Sequence, residues 1–451
     1  MHDNQNDIQA KTMLRRIWRA LCLRGSELPF YSGYTYHFQL RAALFAGLAT
    51  GILDLEGIVL RKTLGGSPEL IALLMSLGMG SFILSPFCWS YLQRCNPRKV
   101  LIVLGLLGHS SLVLIAFTSS PLIFVFAVSI PALVSLVFLP LRNTIVERNH
   151  SAFVRGKTYA YTAAYTVLVV VIISQVTGFA LDWEPDLYRL LFPVAGVAAF
   201  LSMLYYAKIK IRRLQRPVEP SVNEKRDGVI RTFRKSVRDV FRVLKENPAF
   251  RKFERNFFIY GIGFLSSQPV VVIFVVDHLK AAYASAAAAV FVIPVITQMI
   301  SLPVWGRMLD RFGASKTAGF TNLLFALWAL LLFCAALETN LLLFFVAYAV
   351  FGMALGGMDV VWNIGPIEFC GRRSLSEKPV AGEAGSFTAI HSMFVGIRAL
   401  FAPALGVAAL RLFGVRAAFL IACGFFAAAC ILMFRLHSSV KKMRSAESNP
   451  E

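Results

Sequence analysis

Ionisable residues lie inside long apolar segments of this sequence, where they could bind protons or charged ligands. Asp359 follows the small residues Gly356 and Gly357, and Arg398 lies about fourteen residues, or ~21 Å, into its apolar segment. A charge at the centre of a bilayer costs roughly 2.5–3.5 kcal/mol on insertion scales, so such residues usually face protein or water. Asp359 is therefore the leading candidate for contact with a proton or a substrate.

Two of these residues share one predicted helix. His391 lies seven positions before Arg398, two turns back on the same face, and an imidazole can exchange a proton near neutral pH. Arg398 could pair with an anionic substrate or with Asp359, or it could form a structural salt bridge between neighbouring helices. The alternative for His391 is a buried histidine that only completes a hydrogen bond.

Further polar candidates lie on other apolar segments. Asp54 and Glu56 are two positions apart and point about 200° away from each other on a helix, so at most one can face a cavity fully. A solvated vestibule is their alternative location. Arg142 is a candidate whose alternatives are pairing with Glu147 and snorkelling to lipid headgroups. Two more candidates for a substrate or proton pathway are Asn363 and Gln268.

Membrane-spanning helices must position these residues, because apolar segments of about 20 residues recur along the chain. The 451 residues are 57% hydrophobic and 16% charged, with a mean hydropathy of +0.63, which disfavours a soluble enzyme. Helices satisfy backbone groups in lipid, and the alternating segments of a membrane barrel are missing. We predict an all-α membrane protein with twelve transmembrane helices, at 38–60, 68–91, 100–118, 121–146, 157–181, 189–208, 256–277, 285–308, 317–337, 340–366, 384–409 and 414–435.

The basic residues predict the orientation. If residues 1–37 lie in the cytoplasm, most of the 46 Lys and Arg residues fall on cytoplasmic segments, as the positive-inside rule requires. We expect a multi-pass protein of the cell's inner (plasma) membrane with both termini in the cytoplasm. The net charge of +21 favours anionic lipid headgroups as partners and not nucleic acid. Amphipathic patterns at 13–21 and 229–244 predict helices on the membrane surface.

No motif for catalysis, ATP binding or a metal is found in the sequence. It lacks a P-loop, a GxSxG elbow and an HExxH pair. The seven cysteines form no CxxC pair, which argues against a zinc site. We therefore expect neither an enzyme nor a bound cofactor.

Two similar segments divide the chain into halves. Two segments contain Pro, Trp, Arg and Lys in this order, with other residues between them. One segment surrounds Trp89 and the other surrounds Trp305, 216 positions later. Asn143 and Asn363, which leave the fourth and tenth predicted spans, are 220 positions apart. Two six-helix halves with parallel topology would produce this offset. The predicted segments are a cytoplasmic amino terminus (1–37), a first bundle (38–208), a basic linker (209–255), a second bundle (256–436) and a cytoplasmic tail (437–451).

The segment from Gly306 to Lys316 resembles the loop motif G-x-x-x-D-R-x-G-R-[RK] of the major facilitator superfamily of secondary transporters. This resemblance implies two six-helix bundles around a central cavity lined mainly by spans 1, 4, 7 and 10. It also implies a conformational latch across the two halves. The latch residues by this resemblance are Gly306, Asp310, Arg311, Gly313 and Lys316.

The resemblance and the embedded charges together predict a secondary active transporter of a small organic solute. Such a protein would open its cavity alternately to either side, and a proton gradient is one available source of energy. We expect it to act as a monomer. Two alternatives remain, a transporter-like receptor or scaffold without transport and a translocator of lipids.

Overall fold

The computed structural model describes residues 28–84, 96–211, 238, 240–369 and 383–448, and every element assigned in these ranges is helical. The predicted all-α fold is confirmed. The helices, whose labels number helical pieces and not membrane crossings, are α1 (Phe30–Leu53), α2 (Glu56–Lys62), α3 (Pro68–Gly80), α4 (Pro97–Ser110), α5 (Pro121–Asn149), α6 (Ala152–Trp183), α7 (Tyr188–Ala207), α8 (Pro248–Ile273), α9 (Tyr283–Ala287), α10 (Ile293–Glu338), α11 (Leu341–Ile364) and α12 (Glu383–Ser448). Short 3₁₀ or π turns are Ser81–Leu84, Ser111–Phe117, Pro185–Leu187, Phe274–His278, Ala288–Val292 and Pro366–Phe369.

Two long helices are divided by glycine turns. Gly313 has φ 76° and ψ 170°, and Gly414 has φ 80° and ψ 171°, a region of backbone space that is essentially restricted to glycine. Each turn reverses the chain between two apolar stretches. We call the parts α10a (293–312), α10b (314–338), α12a (383–413) and α12b (415–448).

Eight helical stretches of the described residues are long and apolar enough to cross a membrane. Two of them, Tyr283–Glu338 and Ile390–Lys441, each contain one of the glycine turns. Shorter apolar stretches at Pro68–Leu84 and Pro121–Val134 coincide with two further predicted spans. The membrane-spanning helical architecture is confirmed, and the count of twelve crossings stays a prediction.

Two helices begin eight residues before the predicted spans. α1 begins at Phe30 and not at residue 38, because the polar residues Ser32 and Thr35 are buried in the helix. α8 begins at Pro248, inside the predicted linker, because the Asn247 side chain accepts a hydrogen bond from the Phe250 N–H and caps the helix. The first predicted span is also interrupted, since α1 ends at Leu53 and α2 begins at Glu56.

The predicted surface helices lie mainly outside the described residues. The segment 13–21 is not described, and of 229–244 only residue 238 and residues 240–244 are described, in a helical conformation. Most of the first copy of the repeated segment, residues 85–95 around Trp89, also lies outside the described residues.

Small residues let the helices of the first half approach closely. Gly47 and Gly51 lie one turn apart on α1 and face α6. A Cβ atom added to Gly47 would lie 2.7 Å from the Cβ of Val169, and one added to Gly51 would lie 2.8 Å from the Cβ of Ile173. Such small residues at four-residue spacing allow close contact between membrane helices. α1 therefore packs directly on α6, and its opposite side packs on α7.

The second half is held by a buried aromatic cluster. Trp328 on α10b packs against Phe351 on α11 with ring centroids 4.6 Å apart, and Phe426 on α12b completes the contact. Burial of such rings contributes a large part of the packing energy of a core. α8 packs on α12, and α10 packs on both α11 and α12.

Candidate functional site

Side chains at one end of the two halves join them directly. Arg61 at the end of α2 donates hydrogen bonds to Asp277, with a shortest N–O distance of 2.5 Å. The Lys62 ammonium donates to the Ala281 carbonyl at 2.8 Å, and the hydroxyl groups of Thr63 and Tyr283 hydrogen-bond to each other. This end carries the loops that the basic-residue count places outside the cell, and we call it the predicted outer end.

A carboxylate on α6 extends the same contact. Asp182 accepts hydrogen bonds from the backbone N–H groups of Tyr283 and Ala284, at 2.6 and 2.8 Å. The neighbouring Gly178 is so close to this turn that a Cβ would lie 2.8 Å from the Ala284 Cα. We define the outer closure as the contacts of Arg61, Lys62, Thr63 and Asp182 with residues 277–284. It links the halves through side chains and one turn of backbone.

A cavity of about 320 Å³ lies inside the first half, between α1, α2, α3, α4, α5 and α7. Glu56 lines it and has no hydrogen bond or ion pair among the described residues. His109 lines it too, and its Nδ1 donates to the Gly105 carbonyl at 2.8 Å. Because a carbonyl only accepts, the Nε2 atom of a neutral His109 ring is an acceptor. The cavity thus presents a carboxylate and an imidazole acceptor.

The neighbouring Asp54 has different surroundings. It accepts a hydrogen bond from the Ser174 hydroxyl of α6 at 3.5 Å and does not line the 320 Å³ cavity. The two acidic residues therefore diverge across the interruption between α1 and α2. Only Glu56 faces this cavity.

A second cavity, of about 110 Å³, lies nearer the predicted cytoplasmic end of the same half. Arg142 lines it, with its guanidinium 5.9 Å from the Tyr159 ring centroid and a buried Nε that has no partner among the described residues. The His150 Nε2 donates to the Gln39 side-chain oxygen at 2.9 Å. Burial, and then the Arg155 charge, lower the pKa of His150 to about 4, so the ring is neutral near pH 7. The predicted alternative partner of Arg142, the Glu147 side chain, lies outside the described side chains.

Three buried polar residues form a cluster in the second half. The His391 Nδ1 lies 2.9 Å from the Glu254 carboxylate, and both side chains are at most 3% exposed. Arg398 donates to the Phe257 carbonyl at 2.6 Å, and its guanidinium lies 5.1 Å from the Phe257 ring centroid. A backbone carbonyl and an aromatic face thus compensate part of the cost of burying Arg398.

Asp359 does not reach this cluster. Its exposed carboxylate accepts a hydrogen bond from the Gln298 side chain of α10a, and Asn363, one turn later, donates to the Asp359 backbone carbonyl at 2.8 Å. Gln268 donates weakly to Phe264, at 3.5 Å. The structure therefore separates Asp359 from Arg398, whose pairing was one sequence-based alternative.

The motif residues gather around the turn at Gly313. The Glu368 carboxylate accepts from the Ala314 N–H at 2.5 Å, and so it holds the start of α10b. Arg311 and Lys316 both lie over the Phe312 ring, at 5.1 and 4.0 Å from its centroid. Within the described ranges, neither Asp310 nor Arg311 forms an ion pair with the first half. The remaining latch residue, Gly306, has open space at its Cβ position.

Three of these groups are not among the site residues predicted from the sequence. Glu254 was assigned to the linker, although the pair Asn247-Pro248 is a recognisable start of a helix that would have included it. Asp182 lies one residue beyond the predicted span 157–181 and was not a candidate, and its partners are backbone groups that no sequence pattern reveals. His109 lies inside the predicted span 100–118 and was not a candidate either. Among the described residues no group of His, Cys, Asp and Glu could hold a metal ion.

Comparisons with known proteins identify relatives of this architecture. A family model described as the Major Facilitator Superfamily matches residues 40–291 and 256–450. A comparison with curated proteins finds no match.

Solved structures with the same fold include three kinds of transporter. A POT family transporter in complex with a thioalcohol-conjugated peptide has a TM-score of 0.70 at 12% identity and covers 93% of this chain and 100% of its own. The nucleoside transporter NupG has a TM-score of 0.62 at 12% sequence identity, and the match covers 89% of this chain and 98% of NupG. The human organic anion transporter MFSD10 has a TM-score of 0.59 at 12% sequence identity, and the match covers 89% of this chain and 99% of MFSD10. At this identity the similarity establishes the fold and not the cargo.

Proposed function

Because this chain belongs to the Major Facilitator Superfamily, we propose that it is a secondary active transporter that moves a small organic solute by alternating access. The observation that carries this proposal is the outer closure. Its contacts consist of hydrogen bonds and one ion pair between the halves, and these can break without unpacking the aromatic core of the second half. Opening at this end requires these polar contacts to separate while the helices that pack between the halves, such as α3 on α12, keep or slide along their contact.

The exposed carboxylate of Asp359 and the unpartnered carboxylate of Glu56 support a charged or proton-coupled cargo. Glu56 lines a cavity and Asp359 is exposed, whereas His391 and Arg398 are buried. A carboxylate beside water can exchange a proton or bind a cationic group as the cavity opens. The similar structures include nucleoside, peptide and organic anion transporters, so the cargo class is best found by direct binding measurements.

The proposal includes the location and orientation in the membrane. The chain lies in the plasma membrane as a monomer with both termini in the cytoplasm, and its basic segments contact anionic headgroups. The charge distribution of the sequence supports this orientation.

The experiment that tests the proposal starts from ligand binding. Purified protein is screened against metabolites by thermal shift at about pH 5.5 and 7.5, because a ligand of the folded state raises the melting temperature. Each hit is then measured for uptake into liposomes that contain the protein, with and without a proton gradient. We expect a hit that is accumulated and that Asp359→Asn weakens, while the exposed control Glu338→Gln behaves as wild type. Binding without any uptake would contradict transport and favour a receptor.

A further inference from the structure

The two cavities of the first half lie end to end along α1. Ala46, Phe138 and Ser202 line both of them, so the cavities are adjacent at this level of the bundle. From there the larger cavity reaches Glu56, and the smaller one reaches Arg142 and His150. Since Glu56 is ten residues beyond Ala46, the larger cavity extends about 15 Å along the helix axis.

Both cavities have the size and the polar lining that water needs. One buried water needs about 10–15 Å³ and two to four polar partners, and the cavities measure about 320 and 110 Å³. Thr50, His109 and Ser129 line the larger cavity, while Gln39 and Thr162 line the smaller one. Polar groups therefore occur along the whole length of the combined space.

The carboxylate of Glu56 lies at one end of this combined space. Glu56 has no partner among the described residues, and the other titratable group on the wall of the larger cavity is the His109 ring. Asp54, two positions away, is directed to Ser174 on α6. The lining residues contributed by α3, α5 and α7, such as Leu74, carry no charge. A proton that arrives through water would thus find Glu56 or His109 as its acceptor.

We propose that the two cavities form one hydrated proton pathway inside the first half, connecting Glu56 with the predicted cytoplasmic end. Protons pass along hydrogen-bonded water from the region of Arg142 to Glu56, which binds and releases them. All the residues that line the two cavities belong to the first half.

The role of this pathway in coupling rests on the proposed transport function, but its existence can be tested without a substrate. Radiolytic footprinting with hydroxyl radicals oxidises side chains that touch bound water. Met203 lines the larger cavity although it is only 6% exposed, and Met358, which is 4% exposed, is a matched control outside both cavities. We expect Met203 to be oxidised several-fold faster than Met358. Equal protection of the two methionines would show a dry cavity and overturn the pathway.

A second measurement tests the end point and its sidedness. Dicyclohexylcarbodiimide modifies protonated carboxyl groups in membranes, and mass spectrometry locates the modified residue. In sealed liposomes we expect modification at Glu56 to rise as the pH on the predicted cytoplasmic side falls, with the other side held neutral. Glu56→Gln should abolish this signal, and Asp54→Asn should keep it. Modification that follows only the opposite side, or neither side, would overturn the proposal. Loss of solute uptake with both signals intact would contradict only the transport function.

Discussion

Arg398 and Asp359 lie on neighbouring segments of the second half, yet their side chains have opposite surroundings. Arg398 is 3% exposed and bound to a backbone carbonyl, whereas Asp359 is exposed. Hydropathy located both residues because a charge interrupts an apolar run. It could not supply their partners, since the Phe257 carbonyl has no sequence signature and Glu254 precedes the apolar part of α8.

The first prediction concerns the Glu254–His391 pair. Removing one partner of a buried pair leaves the other uncompensated, which costs about 3–5 kcal/mol. We therefore expect Glu254→Leu and His391→Leu each to lower the free energy of unfolding strongly, and the double variant to lose much less than the sum. The difference should reach about 1–3 kcal/mol in a double-mutant cycle measured by unfolding in detergent.

An exposed pair provides the control for this cycle. Glu69 and Arg411 are 58% and 60% exposed at 3.1 Å, so their coupling should be below about 1 kcal/mol. A coupling free energy for Glu254 and His391 as small as that of the exposed pair would contradict a specific buried interaction.

The second prediction concerns the space that Arg398 occupies. A Cβ at Gly261 would lie 2.1 Å from the Arg398 Cζ, so Gly261→Ala should displace the guanidinium from the Phe257 carbonyl. Such overpacking costs about 1–3 kcal/mol, measured as a lower melting temperature. Gly424→Ala, also in a helix but with open space at its Cβ, should keep or raise stability through helix propensity. Equal behaviour of the two variants would mean that Arg398 does not depend on Gly261.

At the scale of elements, the sequence predicted the helices well and their ends poorly. Apolar periods identify the part of a helix that faces lipid, so polar first turns, such as those of α1 and α8, fall outside the predicted span. The sequence also did not predict the interruption between Leu53 and Glu56. The residues on both sides of it are apolar, and their hydropathy is typical of one continuous helix. The cavity inside the first half depends on how α1, α4, α5 and α7 pack, which hydropathy does not encode.

The third prediction separates the two glycines of the motif. Gly313 has a backbone conformation restricted to glycine, and its Cβ position lies 2.9 Å from the Glu368 carboxylate. Gly313→Ala should therefore cost about 1–3 kcal/mol from strain alone, measured by thermal unfolding. Gly306→Ala places its methyl group in open space within a helix and should be at least as stable as wild type. A neutral Gly313→Ala would refute the strained turn as the reason for this glycine.

At the scale of the whole molecule, the repeat in the sequence predicted two halves, and the family match supports that architecture. The contacts that join the halves could not be predicted, because they link residues more than 100 positions apart and several of them use backbone groups. The predicted latch residues Asp310 and Arg311 contact no residue of the first half by an ion pair within the described ranges. The halves are joined by the outer closure, by the Glu69–Arg411 ion pair and by the packing of α3 on α12.

The fourth prediction follows from the composition of the outer closure. Arg61→Ala removes the ion pair with Asp277, and Asp182→Asn weakens the hydrogen bonds to the Tyr283 and Ala284 N–H groups. Because neither residue belongs to the packed core of a half, we expect the double variant to open more often at this end without unfolding, while the Glu69–Arg411 pair and the packing of α3 on α12 still join the halves in the closed state. The matched control is Arg189→Ala, since Arg189 lies at the same end and, among the described residues, its polar side-chain partners are Ser119 and Asp186 of its own half.

The most direct test of alternating access is the distance between the halves at the predicted outer end. Spin labels at the exposed residues Glu184 and Glu338, in a background without the native cysteines, report this distance by double electron–electron resonance. We expect one short distance for wild type and for Arg189→Ala, and an additional longer distance for the Arg61→Ala, Asp182→Asn variant. An unchanged single distance in a folded double variant would contradict the claim that the outer closure holds two separable halves together.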